Sequence, residues 1–516
     1  MSMSGHAPTV PVPVPATLPN SALLAADPEG IAEVGRLVGE LTSEAAKALR
    51  RRGGPLPPMT PTELAHVVDA QLPEGPLPAE GGGRDALLAL ARAYATYTVD
   101  LADPRAAAHL QPPALGVATA TDVLASAFNA SVDTWDSGPY AVELESRLVR
   151  ALTALAGYGP RADGVLTPGG TASNLQALLI ARDVALGDHR DVRLRGLLGV
   201  DVQPVVYCSE LAHFSVARAC AVLGLGEGAV RPLPADADRR MAPETLERAL
   251  AERAENELPI AVVATAGTTD YGSIDPLPEL AAVARRHGVR LHVDAAYGGG
   301  ALFSDRLRPL LRGLEAADSI TIDLHKTAWQ PAAASVLLVR ERTDLTASTG
   351  LRVAYLNPDD DGAAGYDGLL GHSLATTRRA DALKVVATFL ALGRRGVGAL
   401  LDTCHDLAGH AADAITAHPR LELVATPVLT TVVFRYRPAE ANRAHADAIN
   451  GALRRRLLRQ GRALIGRTDD LAGTAETGRV RLKLTLLNPQ ATKDDIQELL
   501  AAVDAAGRAV ETEDYA

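Results

Sequence analysis

The chain has 516 residues, more than one hydrophobic core usually organises, so we expect two or three subdomains. A hydrophobic content of 47% and a charged content of 22% are typical of a soluble globular protein. The net charge of −11 argues against nucleic acid or an anionic membrane as the main partner. The three cysteines, Cys208, Cys220 and Cys404, lack metal-type spacing and indicate a reducing compartment without a disulfide framework.

The N-terminal stretch, residues 1–21, is rich in proline and poor in large apolar residues, so we expect a disordered arm. It has no basic region followed by an apolar core, which argues against a secretory signal. No run of about 20 residues is apolar enough to span a bilayer. These features together predict a cytoplasmic protein with no membrane partner.

Residues 22–105 have helical patterns separated by loops rich in proline and glycine. Apolar residues recur at three- and four-residue spacing from Asp27 onward, and a second helical run extends from Arg84 to about Leu101. Two short helices with exposed apolar faces do not make a self-sufficient domain. We therefore expect a dimerisation segment that packs on another surface, such as a second subunit.

Residues 106–380 are predicted to form a large α/β domain, because helix and strand patterns alternate from about Thr119 as in βαβ units with a mostly parallel sheet. The predicted strands are Gly164–Thr167, Pro204–Cys208, Ile260–Thr265, Val289–Val293, Ser319–Leu324 and Ala334–Val339. The predicted helices include Leu175–Leu186, Ser215–Leu223, Pro243–Arg253 and Leu277–His287.

Residues 381–516 are predicted to form a smaller α+β domain. It should contain a long helix, Asp381–Leu392, further helix to about His418, short strands and a final helix after Asn488-Pro489. The predicted strands are Leu421–Val424, Thr431–Tyr436 and Val480–Leu486, and the final helix is Lys493–Ala506.

A glycine-rich motif, Gly169-Gly170-Thr171, lies between a predicted strand and a predicted helix. Two glycines let backbone N–H groups approach an anion, and Thr171 can add a hydroxyl at the helix N-terminus. A glycine turn with a threonine N-cap explains the same residues. The motif lacks the spacing of a Walker A loop or a dinucleotide fold, so a compact phosphate monoester is the anion that fits.

Asp294 follows an apolar strand, where a carboxylate is costly unless it meets a cation or strong donors. A protonated heterocyclic nitrogen is one such partner, and capping of the following glycine turn is the alternative. A competing hypothesis is a metal-dependent hydrolase in which His292 and Asp294 hold a metal ion together with His325.

Lys326 also lies at the end of a predicted strand, the edge at which α/β proteins place their chemistry. Two interpretations of Lys326 are open. A buried lysine with a depressed pKa can form an imine with a carbonyl compound, and the alternative is an ordinary solvated lysine at a strand end. His213, just before a predicted helix, is either a packed or capping histidine or a ring that stacks on a planar ligand.

The order of these motifs resembles the group II pyridoxal-phosphate decarboxylases, the family of aromatic-amino-acid, glutamate, diaminobutyrate and lysine decarboxylases. The resemblance extends from about Asp103 to Ala505. Its most specific stretches are TPGGTASNLQAL, LHVDAAYGG and DLHKTAWQP, and further matches are TTRRADALKV and LKLTLLNPQATKDDI. It implies the aspartate aminotransferase-like fold of type I PLP enzymes, pyridoxal 5'-phosphate as cofactor and a homodimer.

The resemblance also implies roles for individual residues. Lys326 would carry the cofactor as an imine, Asp294 would pair with its ring nitrogen, and His213 would stack on its ring opposite Ala296. The remaining positions that match cofactor-binding residues of the family are Gly169, Gly170, Thr171, Thr269, Asp275 and His325. Tyr355 matches a mobile-loop tyrosine that returns a proton to the substrate carbon after CO2 departs.

The substrate implied by the resemblance is an L-amino acid, and the motifs around Lys326 are most similar to the branch that acts on 2,4-diaminobutyrate or lysine. An aromatic or other amino acid is the alternative. Leu110, Gln111 and Pro112 match a strip that touches the substrate side chain. The branch usually has Trp-Asp-Gln-Ser where this chain has Trp135-Asp136-Ser137-Gly138, which leaves the choice of substrate open.

Overall fold

The computed structural model describes residues 24–73, 75–187, 191–351, 353–470 and 478–514. The predicted disordered arm, residues 1–21, lies outside these residues. The described residues fall into two compact units, one drawn from Met1–Arg52 with Ala65–Thr98 and the other from Gly53–Leu64 with Val99–Ala516. The boundaries proposed from the sequence, 22–105, 106–380 and 381–516, stay predictions.

The helices are numbered along the chain. They are α1 (Pro28–Leu49), α2 (Pro61–Gln71), α3 (Gly83–Tyr97), α4 (Gly116–Phe128), α5 (Pro139–Leu155), α6 (Gly170–Leu186), α7 (Val192–Arg195), α8 (Ser215–Val222), α9 (Pro243–Ala251), α10 (Leu277–Arg286), α11 (Leu324–Thr327), α12 (Arg342–Thr349), α13 (Asp359–Ala363), α14 (Ala382–Ala417), α15 (Ala446–Arg459) and α16 (Lys493–Asp514). Among the described residues, no helix is long and apolar enough to cross a membrane.

The strands are numbered in the same way. They are β1 (Ala106–Ala107), β2 (Asp163–Thr167), β3 (Gln203–Ser209), β4 (Val230–Leu233), β5 (Glu257–Thr265), β6 (Arg290–Asp294), β7 (Ser319–Asp323), β8 (Ser335–Val339), β9 (Leu421–Leu423), β10 (Thr431–Tyr436), β11 (Leu464–Asp469) and β12 (Val480–Thr485).

The first unit is helical. Helix α1 begins after Asp27, whose carboxylate accepts a hydrogen bond of 3.0 Å from the backbone N–H of Glu29. Such a cap satisfies one of the N–H groups that the first turn leaves without a partner. Helices α1 and α3 pack together, and Arg92 of α3 lies 3.1 Å from Glu44 of α1. Tyr94, also on α3, leaves most of its ring exposed.

The larger sheet of the second unit has seven strands in the order β2-β8-β7-β6-β5-β3-β4. Strand β8 is antiparallel to both of its neighbours, and the other pairs are parallel. The prediction of a mostly parallel sheet is therefore confirmed. Because the carboxyl ends of parallel strands meet at one edge, the loops after β5, β6 and β7 lie side by side.

Both faces of this sheet are covered, as strand β5 illustrates. Its residues alternate between two buried clusters, with Val262 and Ala264 in the cluster that includes α5, α9 and α10. Ala261 and Val263 belong to the cluster that includes α6 and α8. A strand buried on both faces is a continuous apolar run, and each fully buried Val contributes roughly 1.5–3 kcal/mol to folding. The strand ends therefore emerge from a core that is packed on both faces.

The smaller sheet has the order β1-β11-β12-β10-β9 and is antiparallel except for the pairing of β1 with β11. Apolar residues of α14, α15 and α16 cover it in a core of its own. Helix α14 is interrupted at Gly393, where φ is 69°, a conformation that glycine adopts without steric cost. The predicted helix ending near Leu392 and its continuation to His418 are thus the two halves of α14.

Candidate active site

A cavity of about 600 Å³ opens at the carboxyl edge of the larger sheet, beside the ends of β5, β6 and β7. Nine residues singled out in the sequence line it: Gly169, Gly170, Thr171, His213, Thr269, Asp294, Ala296, His325 and Lys326. The structure therefore brings together residues that are far apart in the chain. Asn174, Tyr297 and Asp323 also line the cavity and were not singled out.

Lys326 is delivered by α11, the short helix that directly follows β7. Its Nζ lies 2.8 Å from Oδ2 of Asp323, and its side chain is 20% exposed while that of Asp323 is 3% exposed. The other carboxylate oxygen of Asp323 is buried without a hydrogen-bond partner among the described residues. The lysine is thus partly shielded from water, yet its ammonium can reach the cavity.

His325 stands beside this pair. Its Nδ1 accepts a 3.1 Å hydrogen bond from the backbone N–H of Ala334, so the neutral ring carries its proton on Nε2. Nε2 lies 3.6 Å from Oδ2 of Asp323. Burial lowers the pKa of His325, although the Asp323 charge opposes this effect. His325 therefore presents an N–H donor near the glycine-rich loop.

The glycine-rich loop leads into α6, whose first residue is Gly170. The first N–H groups of a helix have no partner within it, and the helix dipole adds positive potential there, so an anion is stabilised at this end. A Cβ atom at Gly170 would lie 3.1 Å from the Cβ of Ala296 and 3.1 Å from Oδ2 of Asp323. A side chain here would require these neighbours to move by a few tenths of an ångström.

Asp294 is the last residue of β6, and its carboxylate is buried. Oδ1 accepts a 3.0 Å hydrogen bond from the backbone N–H of Ala296, and Oδ2 accepts one of 2.7 Å from Nδ2 of Asn174. Both partners are neutral donors. A buried carboxylate at a cavity wall with only neutral donors is suited to a protonated ring nitrogen.

His213 precedes α8 and lies on the cavity wall. Its Nδ1 is 2.8 Å from Oγ of Ser215 and accepts a 3.3 Å hydrogen bond from the Ser215 backbone N–H. Burial lowers the pKa of His213, with the Asp294 charge acting in the opposite direction. The neutral imidazole offers a flat face and an N–H group.

Asp275, expected among the cofactor-binding residues, does not line the cavity. Its two carboxylate oxygens each accept a 2.7 Å hydrogen bond, one from the backbone N–H of Met241 and one from that of Thr265. Burial raises its pKa to about 6, despite these donors. The geometry thus gives Asp275 a structural position, where it holds the end of β5.

Tyr355 and the strip Leu110, Gln111 and Pro112 also lie outside the lining of this cavity. The Tyr355 side chain is 82% exposed, in the turn between α12 and α13. Their predicted contacts with the substrate are absent from the cavity of the single chain, and the roles proposed for them stay predictions.

The metal-site hypothesis required His292, Asp294 and His325 to converge. His292 is buried, with Nδ1 2.9 Å from Oγ of Ser319 and Nε2 3.0 Å from Oδ1 of Asn174. Burial lowers its pKa to about 4, and both ring nitrogens are already in hydrogen bonds, so neither is directed at a metal. In the part of the chain that the structure describes, no group of three or more His, Cys, Asp or Glu side chains suits a metal ion.

The cavity thus has three different groups for one ligand: a helix N-terminus for an anion, a buried carboxylate for a ring nitrogen and a lysine for a carbonyl. Pyridoxal phosphate carries all three complements, so the residues present fit this cofactor. A metal-dependent hydrolase has no need for this combination of a helix N-terminus, a buried carboxylate and a lysine.

Comparisons with known proteins agree with this fit. Residues 68–437 match the family model described as the pyridoxal-dependent decarboxylase conserved domain. The L-2,4-diaminobutyrate decarboxylase of Rhizobium meliloti is 44% identical over 439 residues, which cover 85% of each chain. The enzyme of the same name from Acinetobacter baumannii is 33% identical, covering 93% of this chain and 94% of the relative. Cysteine sulfinic acid decarboxylase of Rattus norvegicus is 31% identical, covering 87% and 90%.

Solved structures show the same fold. The glutamate decarboxylase domain of a diaminobutyrate-pyruvate transaminase and L-2,4-diaminobutyrate decarboxylase from Vibrio parahaemolyticus superimposes with a TM-score of 0.83 at 30% identity. The match covers 95% of this chain and 98% of that one. The predicted type I fold of PLP enzymes is confirmed. The chain belongs to the pyridoxal-dependent decarboxylase family and is a pyridoxal phosphate-dependent amino acid decarboxylase.

Proposed function

We propose that this enzyme removes the α-carboxyl group of L-2,4-diaminobutyrate and releases CO2 and the corresponding diamine. The observation that carries the proposal is the 44% identity to the Rhizobium meliloti enzyme that is named for this substrate. The relative named for cysteine sulfinic acid, an acidic substrate, is more distant at 31% identity. L-Lysine, with a longer side chain and the same terminal ammonium, is the second candidate.

The residue roles proposed for the cavity follow from its three groups. When bound, pyridoxal phosphate accepts the electron pair that departing CO2 leaves on the α-carbon. Lys326 would hold the group through its aldehyde, and Asp294 would keep the ring nitrogen protonated. The N–H groups at the start of α6 would bind the phosphate, and His325 would donate to it through Nε2. These roles match the charge of each group: the positive helix end meets the phosphate, and the Asp294 carboxylate meets the protonated ring nitrogen.

Asp323 adds a step before cofactor binding. Its Oδ2 holds Nζ of Lys326 at 2.8 Å. A lysine reacts as the free amine, so Lys326 would have to give up a proton before it could hold the cofactor, and Oδ2 of Asp323 is the acceptor within reach. Asp323 therefore keeps the amine inside the cavity until the cofactor arrives.

The remaining roles concern groups outside the cavity of one chain. We propose a homodimer in which exposed Tyr355 acts as the proton donor to the α-carbon, and in which the Leu110–Pro112 strip contacts the substrate side chain. The exposure of the Tyr355 ring supports this proposal, because an aromatic side chain that is 82% exposed is available to a partner surface or a closing loop.

The proposal is tested by measuring CO2 release from a panel that contains L-2,4-diaminobutyrate, L-lysine, L-ornithine, cysteine sulfinate, L-glutamate and L-tyrosine. The highest kcat/KM is expected for L-2,4-diaminobutyrate. Faster turnover of an acidic or aromatic amino acid would contradict the substrate assignment. A Lys326→Ala preparation serves as the control, since any CO2 that it releases comes from another source.

A further inference from the structure

One side-chain amide connects two cavity residues that would contact the proposed cofactor ring, Asp294 at its nitrogen and His213 on its face. Asn174 lies on α6, is 1% exposed, and donates through Nδ2 to Oδ2 of Asp294 at 2.7 Å and to Oγ of Ser215 at 2.9 Å. Ser215 in turn contacts Nδ1 of His213 at 2.8 Å. Asn174 therefore has one link to Asp294 and another, through Ser215, to His213.

Hydrogen-bond chemistry determines the orientation of this amide. A carboxylate can only accept, so the NH2 group of Asn174 must face Asp294 and its oxygen must face His292. Oδ1 of Asn174 is 3.0 Å from Nε2 of His292, which requires a proton on that nitrogen. Nδ1 of the neutral His292 then accepts from the hydroxyl of Ser319, 2.9 Å away.

The other branch determines the tautomer of His213. The backbone N–H of Ser215 points at Nδ1 of His213 at 3.3 Å, so Nδ1 is an acceptor. The Ser215 oxygen accepts a hydrogen bond from the Asn174 amide, and the Ser215 hydroxyl donates one to the same Nδ1. The neutral ring then has its single proton on Nε2, the nitrogen left free to face the ligand.

We propose that Asn174 is a positioning residue for the decarboxylation, one that holds the Asp294 carboxylate against the cofactor ring nitrogen and fixes the His213 tautomer through Ser215. The inference rests on the proposed roles of Asp294 and His213. Asn174 does not itself contact the atoms that react. It acts through the Asp294 carboxylate oxygen that it orients. A hydrogen bond to a charged acceptor is strong enough for its loss to be measured as roughly a tenfold change in affinity.

The test compares two probes on the apoprotein: pyridoxal phosphate, and its analogue with a C–H group in place of the ring nitrogen. Equilibrium dialysis gives a Kd for each. The wild type should prefer the nitrogen-containing probe, and Asn174→Ala should reduce that preference by about tenfold. The affinity for the analogue should change by less than about threefold, because the analogue makes no bond that the Asn174–Asp294 contact supports.

Asn450 supplies the matched control, because it is also 1% exposed and forms three hydrogen bonds between α15 and β10 and within α15. Asn450→Ala should leave the preference between the probes unchanged. Ser215→Ala should also keep it, since the bond from Asn174 to Asp294 remains. Should Asn174→Ala fail to fold, Asn174→Ser, which leaves room for water, is expected to lose the preference in the same direction.

An Asn174→Ala protein that binds both probes with the wild-type preference would overturn the inference while leaving the proposed function intact. An equal loss for both probes would also overturn it, because that pattern marks a general structural role. A wild type that binds neither probe would overturn the proposed cofactor site and the inference with it. Visible absorbance of bound pyridoxal phosphate in the wild type separates the last outcome from the first two, because it is lost only when the cofactor site itself fails.

Discussion

The hydroxyl of Tyr297 connects the active-site cavity to the smaller sheet, and Tyr297→Phe isolates that connection. The ring lines the cavity, and its hydroxyl accepts a 3.0 Å hydrogen bond from the backbone N–H of Thr430. It also lies 2.8 Å from Oγ1 of Thr430 and 2.9 Å from Oγ1 of Thr431, at the start of β10. All three residues are buried, so water cannot replace the lost oxygen.

The expected cost follows from these contacts. A buried N–H left without its acceptor costs about 1–3 kcal/mol, and each neutral hydroxyl bond adds about 0.5–1 kcal/mol. Tyr297→Phe should therefore lower the free energy of unfolding by about 2–5 kcal/mol. Tyr158→Phe is the matched control, because the buried Tyr158 hydroxyl makes a single 2.9 Å bond to the Ala317 carbonyl. That carbonyl keeps Arg340 as a partner, so the control should cost about 1 kcal/mol or less.

Urea unfolding followed by tryptophan fluorescence measures both variants. The chain has two tryptophans, and buried Trp329 donates through Nε1 to the Leu487 carbonyl at 2.9 Å, next to β12. Its emission therefore reports separation of the cavity loop from the smaller sheet. Midpoints converted with the common m-value give the free-energy difference. A loss for Tyr297→Phe no larger than that for Tyr158→Phe would refute the reasoning.

Three further changes test other parts of the structure. Gly300→Ala should lower the free energy of unfolding by about 1–3 kcal/mol in thermal melts, because the new Cβ would lie 2.7 Å from the Thr327 carbonyl oxygen; an unchanged melt would contradict this. Burial raises the pKa of Glu511, but hydrogen bonds, the 2.6 Å bond from Tyr436 first among them, lower it overall below the ordinary 4.5. The carboxylate thus contributes stability above pH 4.5, and this contribution disappears as the pH falls through the lower folded-state pKa. Glu511→Gln should therefore destabilise the protein at pH 7 and approach wild-type stability in acid. A stability difference that does not depend on pH would contradict this assignment. Tyr355→Phe should keep cofactor absorbance yet lose most amine formation, measured by chromatography of the product; full amine yield would remove Tyr355 from the reaction.

The sheet was predictable where burial on both faces makes the strands continuously apolar. Ile260–Thr265 was predicted as a strand and is the core of β5. Strand β4 was missed because it has four residues, includes Pro232, and lies at the sheet edge where proline is tolerated. Helix α15 was missed as well, since its run of arginines hides the apolar residues that face β11.

The site was predictable to the extent that its residues follow parallel strands, since those strand ends must meet. Lys326 and Asp294 were found on this ground and by the family motifs. The partners that orient them were not found, because they come from distant segments: Asn174 is 120 residues from Asp294. Asp323 carried a signal, since a carboxylate three residues before a lysine on a helical turn can reach it, and it was read only as part of a strand.

The central claim is that Lys326 holds the cofactor, and reduction of the holoenzyme with borohydride tests it directly. Reduction locks pyridoxal phosphate onto the amine that carries it, and mass spectrometry of the digested protein identifies the labelled peptide. The chain has five lysines, so the assignment is unambiguous. The account predicts one phosphopyridoxyl group on Lys326 and none in Lys326→Ala. A label on Lys384 or Lys483, or an active enzyme with no label, would contradict it.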